Sequence, residues 1–367
     1  MKPKALRRIG VLTGGGDCPG LNAVIRVVTK AAILKLGIDV LGIEEGFLGL
    51  IEDRVRPLRY DDVSNILTVG GTILGTSNRA DPARFCTGYD PDGRPVVADV
   101  TDRVLATIER HHMDLLICIG GDGTMSAANG MIRRGVPCVG VPKTIDNDLM
   151  HCELTFGFTT AVQTASECLD KIHTTGASHH RIMVVELMGR NAGWLTLQSG
   201  LASGADVILI PELPYDLDAV CEFCLRRAAA GRRFTLIAVA EGARPRGGQQ
   251  VIDRIIVDSP EPVRLGGIAQ KLAADIENHI RRETRATILG HVQRGGAPVA
   301  FDRVLATLLG HRAIQMAALG EWNQVAVWRA GRTDMVPIAD VADQQRLLEL
   351  DDPLIAVARA LGTCLGD

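Results

Sequence analysis

A chain of 367 residues has room for about two domains, and 46% hydrophobic content with only 4% aromatic is the aliphatic balance of an α/β protein with a sizeable core. A formal net charge of −3 excludes general attraction to nucleic acid or to acidic membranes, so an anionic ligand must meet a local basic cluster. No apolar run approaches the roughly 18 residues of a membrane span, "MKPKALRRIGVL" lacks a signal-peptide core, and nine cysteines without a disulfide framework fit a reducing compartment; the expected location is cytoplasmic.

In chain order, short apolar runs ending in glycine recur as strand signals, beginning with "RIGVLTGGG". Leu21, Val24, Ile25 and Val28 then repeat at i, i+3, i+4 and i+7 and predict a helix. Residues 79–100, rich in Pro, Gly and Asp, read as a long loop or small hairpin. The strand-like runs "DLLICIGGDG", "VPCVGVP", "RIMVVELMGR" and "DVILIPE" follow. Next, "DLDAVCEFCLRRAAAGR" has the acid-capped start of a helix that ends near Gly231. Leu217, Val220, Cys221, Cys224 and Leu225 share one apolar face of it. Cys221 and Cys224 form the only CxxC, and two thiols without a second pair or nearby histidines make an incomplete zinc site, so both are expected to be buried structural residues. "FTLIAVAEG" and "ATILGHV" are further strands, and one more strand pair is predicted from about 321. Continuous apolar strands alternating with helices imply mainly parallel sheets covered on both faces. The expected fold is α/β and doubly wound, in two Rossmann-like domains with the chain crossing between them more than once.

In open α/β sheets ligands bind beyond the carboxyl ends of the strands, where glycine-rich turns let backbone approach phosphate. "LTGGGDCPG" (12–20) and "IGGDGT" (119–124) fit that role, although tight strand-to-helix packing accounts for either one equally well. Neither is a G-K-[ST] or a G-x-G-x-x-G motif. A carboxylate at Asp122 beside a phosphate cradle is unfavourable unless a cation intervenes, which favours Mg²⁺ there over a simple N-cap. The loop "GVPKTIDNDL" (140–149) admits an Asx-type turn at Asn147 and Asp148, or a site built from Lys143, Thr144, Asp146 and Asp148. For phosphoryl transfer, Asp146 can be the base, Asp148 can assist the metal or the loop, and Lys143 can neutralise charge. A basic group completes the pattern: Arg181, Arg190, Arg285, His291 and Arg294 lie around two predicted strands and together suit a phosphate dianion, although each alone reads as solvated surface.

These residues resemble the 6-phosphofructokinases: "IGVLTGGGDCPGLNAVIR", "GGTILGTSNR", "IGGDGT", "PKTIDND", "HHRIMVVELMGRNAGW", "AEGARP" and "ETRATILGHVQRGG" occur in that family's order, from residue 9 to about 312. The resemblance implies transfer of the ATP γ-phosphoryl to the 1-hydroxyl of fructose 6-phosphate. It implies a larger donor domain of residues 1–157 plus about 293–343, and a smaller sugar-phosphate domain of 158–292 plus part of the C-terminal tail. Gly15, Arg79, Gly121, Asp122, Gly123 and Thr124 would meet the donor, with Mg²⁺ on Asp122. Asp146 would be the base, with Lys143, Thr144 and Arg79 in the catalytic group. Thr144, Ile145, Met188, Gly189, Arg190, Glu241, His291, Val292, Gln293 and Arg294 would meet the sugar. Arg181 and Arg285 hold positions that serve a neighbouring subunit, which implies a homodimer or homotetramer.

Gly123 and Lys143 would set the donor. Gly123 matches ATP-using members, where pyrophosphate-using members carry an aspartate that would occupy the place of the α-phosphate; Lys143 is typical of pyrophosphate users but occurs with glycine in some longer ATP users. ATP is therefore the expected donor and pyrophosphate the alternative. At the family's regulatory site Arg26 and Lys30 stay basic, but His173 and Asp206 replace an expected arginine and glutamate. NAD kinases and lipid kinases share a GGDGT-like turn but account for neither "PKTIDND" nor the basic group; a non-catalytic sugar-phosphate sensor, the further alternative, would tolerate loss of the base and the metal acid, and both Asp146 and Asp122 are present.

Overall fold

The computed structural model describes residues 6–367. The chain runs through β1 (Arg8–Thr13), α1 (Leu21–Ala31), β2 (Asp39–Ile43), α2 (Phe47–Ile51), β3 (Val55–Pro57), the hairpin β4 (Phe85–Tyr89) and β5 (Pro95–Ala98), α3 (Thr101–Arg110), β6 (Leu115–Gly120), α4 (Asp122–Arg133), β7 (Cys138–Thr144) and β8 (Phe156–Gly157). It continues through α5 (Phe158–His179), β9 (Ile182–Leu187), α6 (Trp194–Ala202), β10 (Val207–Leu209), α7 (Leu217–Ala229) and β11 (Thr235–Ala240). The hairpin β12 (Ile252–Ile255) and β13 (Val263–Leu265), α8 (Ile268–Ile280), β14 (Thr284–Ile288), α9 (Ala300–Leu319), β15 (Gln324–Arg329), β16 (Arg332–Pro337) and α10 (Pro353–Ala360) complete it.

Among the described residues, the larger sheet has eight strands in the order β16-β15-β7-β6-β1-β2-β3, with β8 on β7. Its central pairs are parallel, and only the edges β2/β3 and β15/β16 are antiparallel. The smaller sheet, β10-β11-β9-β14, is parallel throughout. Strands β6, β7, β9 and β11 are buried along their whole length. That is why each reads as a continuous apolar run: helices cover both faces.

The chain leaves the larger sheet through α5, builds the smaller one, and returns through α9, which packs on α1. Cys364 then bridges back to Val207 at the edge of the smaller sheet. One apolar cluster spans both sheets, from Ile9 and Ile119 through Phe158, Ala161 and Leu169 of α5 to Val185 and Ala238.

Most predicted elements are present, including the helix at 217–229, whose Asp216 side chain caps it by accepting from the Asp218 N–H. Cys221 and Cys224 lie in the core under α7, and burial pushes their thiols up to about 11 and about 12. Leu225, expected on the same face, is 44% exposed: it lies at the margin of the stripe, where the turn of the helix carries it away from the sheet. Between residues 241 and 283, where the sequence predicts no element, the structure has the hairpin β12–β13 and α8.

Candidate active site

The carboxyl ends of β1, β6 and β7 lie side by side, and their loops converge. After β1, the Gly14 N–H donates to Ile119 O and the Gly15 N–H to Ser77 O, with Gly15 at φ +76°. A Cβ at Gly14 or Gly120 would strike the Thr124 side chain, and one at Gly16 would strike the Arg294 guanidinium. Glycine here lets three loops close on one point, so the packing and the phosphate-cradle readings of these turns are compatible. Asp122 opens α4 and accepts from the Gly123 N–H at 2.7 Å. Beside Gly123 the space is open: an added Cβ would have only Glu261 Oε1 within 4 Å, at 3.9 Å.

The loop after β7 divides its labour. Asn147, at φ +54°, accepts from the Thr155 N–H at 3.0 Å and donates to Glu153 O at 3.1 Å, and its carbonyl accepts from Arg346 at 2.8 Å. The turn chemistry therefore belongs to Asn147, which leaves both aspartates for other work. Thr144 Oγ1 accepts from the Asp146 N–H at 3.0 Å. Lys143 is 4% exposed, its ammonium donates to Gly16 O, and burial pulls its pKa down. Asp146 is 6% exposed and its Oδ1 is buried without a hydrogen-bond partner. Burial raises its pKa, while Arg294, Arg190 and Lys143 pull it back. Burial, with Asp146 and Asp122 nearby, pushes Asp148 up to about 7.

The end of β9 adds a second wall. Gly189 takes φ +135°, where a Cβ would lie 2.6 Å from Ala192 O, and this turn aims the Arg190 N–H at Glu241 Oε1, 3.0 Å away. Burial and the nearby Asp146 push Glu241 up to about 7. Gln293 is fully buried and accepts from the Met188 N–H at 3.4 Å; Arg294 donates to Asp17 O at 3.2 Å. Ile145 lies in the core beneath the loop, whereas His291 and Val292 are exposed on the turn after β14.

Two arginines lie elsewhere. Arg181 precedes β9 and Arg285 is near the start of β14, and both pair with Glu283 at 2.8 and 2.6 Å. They sit at the opposite end of the smaller sheet from Arg190, about 20 Å along a six-residue strand. Arg79 is 59% exposed and turned to Asp258, 3.6 Å away.

Several residues at the site carried no sequence signal. Gln345 Nε2 donates to Asp148 Oδ2 at 3.3 Å and reaches Asp122 Oδ2 at 3.5 Å. Arg346 stacks 4.2 Å over Trp194 while holding the loop at Asn147. Glu261 pairs with Arg190 at 2.8 Å. All come from the tail or the exposed hairpin, outside any motif. Among the described residues no group of three or more His, Cys, Asp or Glu could hold a metal. The carboxylates of Asp122 and Asp148 nonetheless converge on one amide, which fits a cation completed by ligand phosphates rather than by protein alone.

Three of the residues at the expected regulatory site, Lys30, His173 and Asp206, are engaged within the chain. Lys30 lies 3.9 Å over the Tyr60 ring, His173 meets Phe234 edge-on, and Asp206 pairs with Arg227 at 2.7 Å. No helix among the described residues is long and apolar enough to cross a membrane.

The family description "Phosphofructokinase" matches residues 8–317. An ATP-dependent 6-phosphofructokinase 2 of Clostridium perfringens is 45% identical over 363 residues, 99% of each chain. The ATP-dependent 6-phosphofructokinase 1 of Synechocystis is 42% identical over 99% of each chain, and that of Mycobacterium bovis 43% identical over 93% of this chain and 96% of its own. Phosphofructokinase from Pichia pastoris in its T-state superposes with a TM-score of 0.75 and 32% identity, over 92% of this chain and 35% of the yeast chain. A pyrophosphate-dependent phosphofructokinase from Marinobacter aquaeolei superposes at 0.78 with 19% identity, over 98% of this chain and 88% of its own, a likeness of fold alone.

Proposed function

The chain belongs to the phosphofructokinase family, and we propose that it transfers the γ-phosphoryl group of ATP to the 1-hydroxyl of fructose 6-phosphate, with Asp146 as the general base. The observation that carries the mechanism is the Asp146 carboxylate: one oxygen buried and unpartnered, among Lys143, Arg190 and Arg294. A carboxylate taken out of water gains basicity, and neighbouring cations keep it ionised when it is needed. Its free oxygen is the place for the hydroxyl proton.

The same cations serve the other half of the reaction. Phosphoryl transfer asks mainly for positioning and for shielding of the developing charge on phosphoryl oxygens. Lys143, fixed against Gly16, and Arg294, fixed against Asp17, hold positive charge at the donor turn before any ligand arrives. Gly15, Gly121 and Thr124 line the donor cradle, with Arg79 at its edge. Asp122 and Asp148 are the residues that would hold Mg²⁺, which supplies neutralisation of the donor phosphates when bound.

The sugar would lie between Asp146 and the β9 turn, with Glu241, Met188, Gly189 and Arg190 on one side and Gln293 setting the backbone of Met188. In this reading the larger sheet serves the donor and the smaller one the sugar phosphate. Arg181 and Arg285, at the far end of the smaller sheet from this chain's own Asp146, would grip the 6-phosphate across a subunit boundary, in a homodimer or homotetramer in the cytoplasm, while His291, on the turn after β14 beside Gln293 and Arg294, would complete that grip from the same subunit.

ATP is favoured over pyrophosphate by the open space at Gly123 and by relatives named as ATP-dependent. Steady-state assays with fructose 6-phosphate and ATP, ADP or pyrophosphate test the reading; turnover with pyrophosphate and not with ATP would overturn it.

A further inference from the structure

Gly123 leaves a space at the start of α4, and an acid from a distant part of the chain stands at its edge. The turn between β12 and β13 brings Glu261 there: Oε2 pairs with Arg190 Nη2 at 2.8 Å, and Oε1 is 3.9 Å from where a side chain at position 123 would begin. The same turn presents Asp258 to Arg79 at 3.6 Å, where it also accepts from the Tyr89 hydroxyl at 3.1 Å. One turn thus lays two carboxylates on two arginines that the proposed function places in the site, Arg79 at the edge of the donor cradle and Arg190 beside the sugar.

We propose that Glu261 is a further donor-selecting residue: its carboxylate stands in the opening beside Gly123, and a nucleotide donor must displace it. Asp122 shares the Gln345 amide with Asp148, the side on which the proposed function puts the transferring group. Gly123 is one residue farther out, so what approaches it is the portion of the donor beyond the phosphoryl being transferred. An anion arriving there meets a like charge and competes with Glu261 for Arg190. Pyrophosphate, which ends after two phosphates, escapes most of that conflict; ATP does not.

The turn is built to present this carboxylate independently of its own fold. Ile256 donates to Pro262 O at 2.8 Å, and Arg264 ties Glu261 O at 2.6 Å to Ser259 Oγ at 3.1 Å. The Glu261 carboxylate takes no part in these bonds. Strand β12 is exposed along its whole length, so the hairpin can move without opening a core.

The inference rests on residues 121–124 being the donor cradle. It is tested by calorimetric binding of MgATP and Mg-pyrophosphate to the full-length enzyme and to Glu261→Gln and Glu261→Ala, alongside kcat and KM for each donor. Both variants are expected to bind ATP about tenfold more tightly than the wild type while pyrophosphate changes less than about twofold, the scale of one partly screened like charge. Unchanged or weaker ATP binding, or an equal gain for both donors, would overturn the proposal. A wild-type enzyme that fails to phosphorylate fructose 6-phosphate with ATP would instead sink the proposed function.

Discussion

At the scale of single residues, the candidate site is a problem of buried charge. Asp146 keeps one oxygen without a partner in a pocket that burial makes costly for any anion, and three cations offset that cost. Asp146→Asn should lower kcat at least about 10²-fold while fructose 6-phosphate still binds, because the amide keeps the shape and loses the base. Equilibrium binding beside steady-state kinetics separates the two effects. Glu241 gives a prediction in pH. Its folded pKa, about 7, lies above the ordinary 4.5, so the ligand-free fold binds its proton more tightly than the unfolded chain does. That contribution to stability is complete below about 4.5 and fades as pH rises to about 7. Thermal melts of Glu241→Gln against the wild type should therefore show a flatter loss of stability over that window.

At the scale of elements, strand ends and helix starts do most of the positioning. Gly123 sits in the first turn of α4, where an acid is compatible with the helix and the one neighbour within 4 Å of an added Cβ is the movable Glu261 carboxylate at 3.9 Å. Gly123→Asp should leave the melting temperature near that of the wild type and reduce kcat/KM for ATP about 10²-fold, since a second carboxylate would project where the donor lies. A large loss of stability would show the space to be less open than described. The strands flanking the site were legible because burial on both faces writes an uninterrupted apolar run. The β12–β13 hairpin was not: all of β12 is exposed, so no periodicity marks it. Gln345 was equally silent, since a single amide becomes meaningful only when the tail returns to lie across Asp122 and Asp148. The PKTIDND segment announced a site, but only the contacts of Asn147 sorted its turn residue from its two aspartates.

At the scale of the whole molecule, Arg181 and Arg285 stand at the wrong end of the smaller sheet to serve the Asp146 of their own chain. Arg285→Ala should raise KM for fructose 6-phosphate about 10- to 100-fold with a smaller change in kcat, the scale of a charged hydrogen bond lost. Co-expressing Asp146→Asn subunits with Arg285→Ala subunits should restore about a quarter of wild-type sites if subunits mix at random in a dimer, because each mixed pair contains one intact composite site. Assayed at fructose 6-phosphate well below the raised KM, failure to recover activity above that of either parent would show that these arginines do not complete a neighbouring subunit's site. The continuous apolar cluster that passes through α5 has a consequence of another kind. Two sheets that share one helix and one set of packed side chains have no seam along which to part. Heated in a scanning calorimeter, the chain should give a single endotherm rather than two.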